Sequence, residues 1–191
     1  MTTVEAKAGL RKAARVRRAG FARAAGGGAG AAAVAHFQAA VSLAPDAVVS
    51  GYWPVGDEFD VRPLLESLHG RGHACCLPVV AGKNRPLIFR RWEPGDVLRP
   101  AALGIPVPPP EAEELTPSLL LVPLLAYDNR GYRLGYGGGF YDMTIRDLRA
   151  QGGLVAVGVA YAGQHMDTVP TDDHDERLDW IVTEQGAIRI P

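Results

Sequence analysis

Ten residues, Arg133 to Asp142 (RLGYGGGFYD), combine four glycines with one cation and one carboxylate. Glycines let backbone N–H groups approach an anion closely, and a helix that follows them adds the positive end of its dipole. Arg133 supplies a planar, permanent cation suited to phosphate oxygens. Asp142 is either an acid favoured in the first turn of a helix or a carboxylate able to hold a phosphate-bound Mg²⁺. The segment therefore reads as a phosphate-binding loop, against the plainer alternative of a tight turn that needs glycine and nothing else. It is neither of two familiar loops. No Gly-Lys-Ser/Thr follows, and the Rossmann spacing with its acid about twenty residues on is absent.

A second set of groups lies at the start of the chain. Lys7, Arg11, Arg15 and Arg18 recur at i, i+4, i+8 and i+11, which places them on one face of a helix running from Val4 to about Ala25. Residues 1–25 hold seven Lys/Arg against the single acid Glu5, leaving thirteen basic and twenty acidic side chains in the rest of the 191 residues. A basic N-terminal element thus faces a mildly acidic body, yet the formal net charge of −1 provides no global field toward nucleic acid or membrane. The arginines are not interleaved with aromatics, so a single-stranded nucleic-acid surface is disfavoured. With only Cys75 and Cys76, adjacent in sequence, the composition argues against a secreted disulfide scaffold and for a reducing cytoplasm. No apolar run reaches membrane-span length, and the serine-poor start argues against an organelle transit peptide.

These groups need a scaffold, and the pattern predicts an α/β one. AVVSGYW, HACCLPVV, LIFRRW, SLLLVP, LVAVGVA and DWIVTEQGAIRI read as strands. DVRPLLESLHGRG and the stretch from Phe140 to about Ala150 read as helices, and AAAVAHFQAAVSLA as a second N-terminal helix. SLLLVP and LVAVGVA are nearly continuous apolar runs, the mark of strands buried on both faces. The expected architecture is a three-layer αβα domain covering residues 1–191, with a largely parallel central sheet and an N-terminal helical segment, residues 1–44, packed on the body. GGGAG at Gly26 to Gly30 is expected to be a hinge or loop, and the proline-dense GIPVPPPEAEELTP an irregular surface crossing.

Taken together, AKAGLRK, YWPVGDEFDVRPLL, LIFRRWEPGDVL, LLLVPLLAYDNRGYRLGYGGGFYD and HDERLDWIVTEQG resemble the 5-formyltetrahydrofolate cyclo-ligases, also called methenyltetrahydrofolate synthetases. The resemblance runs almost the length of the chain and is most specific over Leu119 to Asp142. It implies ATP- and Mg²⁺-dependent closure of 5-formyltetrahydrofolate to 5,10-methenyltetrahydrofolate, with release of ADP and phosphate. By resemblance, Lys7, Arg11, Arg133, Leu134, Gly135, Tyr136, Gly137, Gly138, Gly139, Phe140 and Tyr141 fall to ATP, with Arg133 and Tyr141 closest to the chemistry. Tyr136 through Phe140 also line the folate side, together with Trp53 and Glu58. Glu58 matches the acid that accepts from the pterin N–H donors, and Asp142 and Asp179 match the two metal-associated acids. On this reading Arg133→Ala and Asp142→Asn reduce turnover far more than stability. The resemblance implies a monomer acting on a small molecule, with no nucleic-acid or membrane partner.

The sequence departs from the family at Phe140, where tyrosine is frequent, and at Met143 and Val61. Other readings use other residues. A sugar-phosphate isomerase or coenzyme A transferase would need a catalytic carboxylate at a strand end, with Glu58 or Asp128 as candidates. A nucleic-acid module would use the basic helix. His69, His73, Cys75 and Cys76 suggest zinc, but Gly70 and Gly72 spoil the helical geometry and no second pair closes a tetrahedron.

Overall fold

The protein is described here as a computed structural model covering residues 3–101 and 104–191. In chain order the elements are α1 (Thr3–Ala25), α2 (Ala29–Ala40), β1 (Val48–Ser50), α3 (Arg62–Gly70), β2 (Ala74–Val80), β3 (Leu87–Arg91), β4 (Arg99–Pro100), β5 (Pro106–Val107), β6 (Leu119–Pro123), β7 (Ala126–Tyr127), β8 (Arg133–Leu134), α4 (Phe140–Gly152), β9 (Val155–Val159), β10 (Trp180–Thr183) and β11 (Gly186–Arg189). No helix among the described residues is long and apolar enough to cross a membrane.

Strand alternation divides the core into two. Leu119 and Leu121 of β6 join Phe37, Leu64, Leu65 and Leu68 beneath α2 and α3, whereas Leu120 and Val122 join Ile145 and Leu148 beneath α4. Both faces are covered by helices, which is why the strand is apolar at every position. Cys75 and Cys76 follow the same rule and point into opposite cores, so they cannot cooperate on a metal. Among the described residues no group of three or more His, Cys, Asp or Glu could hold a metal ion.

The seven-stranded sheet has the order β11-β10-β9-β6-β1-β2-β3. Strands β2, β1, β6, β9 and β10 are mutually parallel, and β3 and β11 close the edges as antiparallel partners. From β1 the chain crosses through α3 to β2, and from β6 it crosses through α4 to β9 in the opposite direction. Right-handed crossovers that run in opposite directions lie on opposite faces. The loops leaving the carboxyl ends of β1 and β6 therefore part from each other, and the crevice between them is the switch point where open α/β sheets bind ligands.

Two expectations change in detail. Gly26–Gly28 forms a 3₁₀ turn leading directly into α2, so the glycine tract carries helix rather than a hinge. The proline-dense segment contributes β5, which pairs with β4 before the chain runs irregularly to β6.

Between β6 and the glycine loop the chain inserts the β7–β8 hairpin, and Asp128 organises its turn. Fully buried, it accepts hydrogen bonds from the backbone N–H groups of Arg130 (2.9 Å), Tyr132 (3.2 Å) and Val169 (2.9 Å), and from the Arg130 guanidinium. Burial alone would raise its pKa, but these donors overcome that and hold the carboxyl below its usual value. A carboxylate so depressed contributes stability that is present above its unfolded-state pKa and lost as pH falls through the folded-state value. Asp128→Asn is expected to cost about 1–3 kcal/mol by urea unfolding at neutral pH. The gap from wild type should narrow as the pH falls below the ordinary aspartate pKa of about 3.9.

Candidate active site

The glycine loop begins where β8 ends. Arg133 is 4% exposed at its side chain and crosses beneath the loop, with NH1 donating to the Glu176 carbonyl (2.7 Å) and NH2 to Asp142 Oδ1 (2.7 Å). Leu134 packs inward with Leu125, Ala126 and Val169 against Leu10 and Ala14 of α1. Gly137 adopts φ +98°, a conformation strained for any other residue, and a Cβ there would come within 3.2 Å of the Arg11 guanidinium carbon. Gly139 (φ +66°) is the N-cap of α4 in the left-handed region, and it leaves that helix without a side-chain cap. Free amides at a helix N-terminus are ready-made anion donors.

α1 lies along the other side of the loop, and its cationic face turns toward it. Lys7 Nζ is buried and donates to Asp172 (2.8 Å) and Asp175. Burial opposes its charge, but the two aspartates outweigh burial and raise its pKa. Arg11 Nε donates to the Gly135 carbonyl (2.9 Å). The guanidinium carbons of Arg15 and Arg18 lie 5.9 and 5.7 Å from the centroid of the Tyr136 ring. Arg18 also donates to the Tyr136 hydroxyl and to Asp57 (2.9 Å), and it stands 3.7 Å from Glu58 Oε1. Eleven residues at 1.5 Å each place Lys7 and Arg18 about 16 Å apart along the helix.

Glu58 comes from the opposite wall, the loop after β1. The Val55 amide holds its Oε2 (2.8 Å), and its side chain is 11% exposed. Its charge reaches three phenols. The pKa values of Tyr52, Tyr136 and Tyr141 are raised above the ordinary tyrosine value, first by burial and then by Glu58. Arg18 partly offsets this at Tyr136, as Arg133 does at Tyr141. These phenols remain protonated at neutral pH and can donate hydrogen bonds but not act as bases.

The structure thus gathers Lys7, Arg11, Arg133, the loop from Gly135 to Phe140, Tyr141, Asp142 and Glu58 around one crevice. Phe140, lacking a hydroxyl, lays its ring where a Cβ on Gly138 would come within 2.8 Å. Trp53 makes an edge contact with Trp92 at 6.5 Å and lies under the Arg62 guanidinium at 5.5 Å, so its ring is already engaged.

Asp142 and Asp179 are not brought together. Asp142 is in the first turn of α4, where Oδ1 accepts from Arg133 and the Glu176 amide (3.1 Å) and Oδ2 is uncommitted among the described residues. Asp179 is held by Arg149 in the last turn of α4 (3.0 Å) and by the Ala156 amide (2.8 Å) at the start of β9. The intervening Glu176 braces α4 through Arg146 and Arg149. Asp128, the rival catalytic carboxylate, is consumed by its hairpin.

Sequence reasoning missed Asp57, Asp172, Asp175 and Glu176, which pair the cations. It placed Arg18 on the right face without assigning it a contact. The readable signal was the eleven-residue spacing from Lys7 together with the acidic GDEFD opposite.

Comparison with known proteins bears on the chain as a whole. The profile of the 5-formyltetrahydrofolate cyclo-ligase family matches residues 3–184. A 5-formyltetrahydrofolate cyclo-ligase of Mycolicibacterium smegmatis is 34% identical over 148 residues, covering 73% of this chain and 75% of the relative. One from Escherichia coli K12 is 34% identical over 134 residues, 66% of this chain and 71% of its own. The solution structure of Aquifex aeolicus 5,10-methenyltetrahydrofolate synthetase superposes with a TM-score of 0.75 at 27% identity, covering 96% of this chain and 92% of that one. The fold recurs in a Mycoplasma pneumoniae 5,10-methenyltetrahydrofolate synthetase at 22% identity and a TM-score of 0.72. With the family profile and the fold in agreement over nearly the whole chain, this protein belongs to the 5-formyltetrahydrofolate cyclo-ligase family and is a ligase.

Proposed function

We propose that this chain closes 5-formyltetrahydrofolate to 5,10-methenyltetrahydrofolate at the crevice between the β1 and β6 loops, using ATP and releasing ADP and phosphate. The observation that carries this reading is the pairing of a glycine loop and cationic helix face on one wall with the half-buried Glu58 on the other. One wall suits phosphates and the other suits a heterocycle rich in N–H donors.

The chemistry asks little nucleophilic help from the protein. A formyl amide is a weak electrophile because its nitrogen donates into the carbonyl, and its oxygen is a poor leaving group. Transfer of the γ-phosphoryl group to that oxygen removes both obstacles and releases ADP. N10 then adds to the carbon, the N10 proton is lost, and phosphate departs as the methenyl cation forms. The protein's task is in-line positioning and charge neutralisation.

Each residue then has a task its surroundings suit. The amides of Gly135 to Phe140 and the uncapped start of α4 hold phosphate oxygens. Arg11 braces the loop through Gly135, and Lys7 meets the phosphates by exchanging its contacts with Asp172 and Asp175. Tyr141, kept neutral, donates a hydrogen bond without removing a proton. Glu58 accepts from the pterin, and Trp53 borders the folate side. Asp142, with Oδ2 uncommitted, fits a magnesium ion that keeps most of its ligands from phosphate and water. That ion would neutralise charge on the transferring group. Asp179, which matches the second metal-associated acid, would join the ion only by exchanging its bonds to Arg149 and the Ala156 amide. We place the molecule as a monomer with no nucleic-acid or membrane partner.

The test mixes purified protein with 5-formyltetrahydrofolate, ATP and MgCl₂ and follows methenyl absorbance together with ADP. Product should form in step with ADP and vanish without ATP; ADP release with no methenyl product would contradict the reading. Arg133→Ala also revises the sequence expectation. Because Arg133 is buried and paired, its loss strands Asp142, and stability should drop by about 2–4 kcal/mol alongside turnover. Thermal denaturation beside steady-state kinetics measures both. A variant of wild-type stability with reduced turnover would restrict Arg133 to the phosphates.

A further inference from the structure

The proposed reaction gives no task to Arg15 or Arg18 of the cationic face, and the surroundings of Arg18 are unusual. Its side chain is 6% exposed, and it faces two carboxylates, Asp57 at 2.9 Å and Glu58 at 3.7 Å. It also bonds the hydroxyl of Tyr136 in the glycine loop. Its Nε–H is buried with no hydrogen-bond partner among the described residues. Buried donors are nearly always satisfied, so an unpaired one inside a binding crevice marks where a ligand acceptor is missing. Opposite charges this close would normally settle into a direct bond. The Glu58 carboxylate is instead drawn back by the Val55 amide at 2.8 Å, leaving Oε1 and the guanidinium side by side. Donor from α1 and acceptor from the β1 loop are thus presented side by side where the two walls meet.

The pyrimidinone edge of a tetrahydropterin is complementary to that pair. It presents in order the 2-amino group, a donor; N3–H, a donor; and the C4 carbonyl, an acceptor. A carboxylate satisfies the two donors and leaves the neighbouring carbonyl in need of a hydrogen-bond donor. We infer that Arg18 is a specificity-determining substrate residue that donates to the pterin C4 carbonyl while Glu58 accepts from N3–H and the 2-amino group. This rests on the proposed function and adds to it what the site rejects. A 4-amino pterin puts a donor at position 4 and removes the hydrogen from N3, so it meets the guanidinium with donor against donor and Glu58 with one donor fewer. Arg18 also ties this recognition to the nucleotide loop, because Tyr136 sits on the same guanidinium.

The test compares 5-formyltetrahydrofolate with its 4-amino-4-deoxy analogue, which carries the same formyl group and the same N10. The ratio of kcat/KM values therefore reports recognition of the ring edge rather than the chemistry. Wild type should favour the 4-oxo compound by on the order of a hundredfold, since a site built around a hydrogen bond rejects an analogue that cannot make it. Arg18→Met should bring the two compounds within roughly tenfold of each other, mainly by weakening the 4-oxo substrate. Arg18→Lys, which keeps a donor, should retain an intermediate preference. If Arg18→Met strands a carboxylate and does not fold, the double variant Arg18→Met with Asp57→Asn removes that charge and is assayed in its place. No preference in wild type, or equal losses for both compounds in the variant, would overturn the assignment. Failure of wild type to turn over the 4-oxo substrate at all would instead remove the proposed function.

Discussion

A cationic helix face laid against a loop with almost no side chains is the contact on which the rest of this site depends. The loop cannot define its own shape, because glycines resist collapse into any single conformation. α1 provides what it lacks: Arg11 holds the Gly135 carbonyl and fills the space beside Gly137. The cost of bringing so many cations together is met by acids from three other segments, Asp57 and Glu58 after β1, Asp142 in α4, and Asp172 and Asp175 before β10. In the free protein Lys7, Arg18 and Arg133 are therefore paired with acids, and on the proposed function a bound nucleotide exchanges partners rather than entering an uncompensated positive field. Exchange of this kind limits the net gain in affinity but keeps the fold from repelling itself.

The sheet explains why these segments meet. Four of them emerge at its carboxyl edge, two from the strands flanking the switch point, and α1 closes the top. Glu176 and Arg149 then run the charge network down the outside of α4 toward Asp179. That network is structural bracing, with Asp142 in the first turn of α4 and Asp179 bonded to Arg149 in its last turn.

Much of this was readable from the chain. Continuous apolar runs reported doubly covered strands, and β6 is the central strand of the sheet with β9 its parallel neighbour. The position of the glycine loop and the shared face of Lys7, Arg11, Arg15 and Arg18 followed from local periodicity. What was hidden depended on partners distant in sequence. Lys7 meets acids 165 and 168 residues away, and no local pattern encodes that. Arg133 looked like a free ligand cation because its partners, the Glu176 carbonyl and Asp142, become neighbours only once α4 folds back beside the loop. The Gly26–Gly28 tract misled for the opposite reason: flanking helices imposed a helical turn that glycine propensity alone disfavours.

Amide hydrogen exchange across Gly135 to Phe140, with and without a non-hydrolysable MgATP analogue, tests the central claim most directly. Those amides, held open by α1, should exchange readily in the free protein and slow markedly with nucleotide, and Arg11→Ala should lose most of that protection. Nucleotide binding that protects other segments while leaving these amides unchanged would contradict the account.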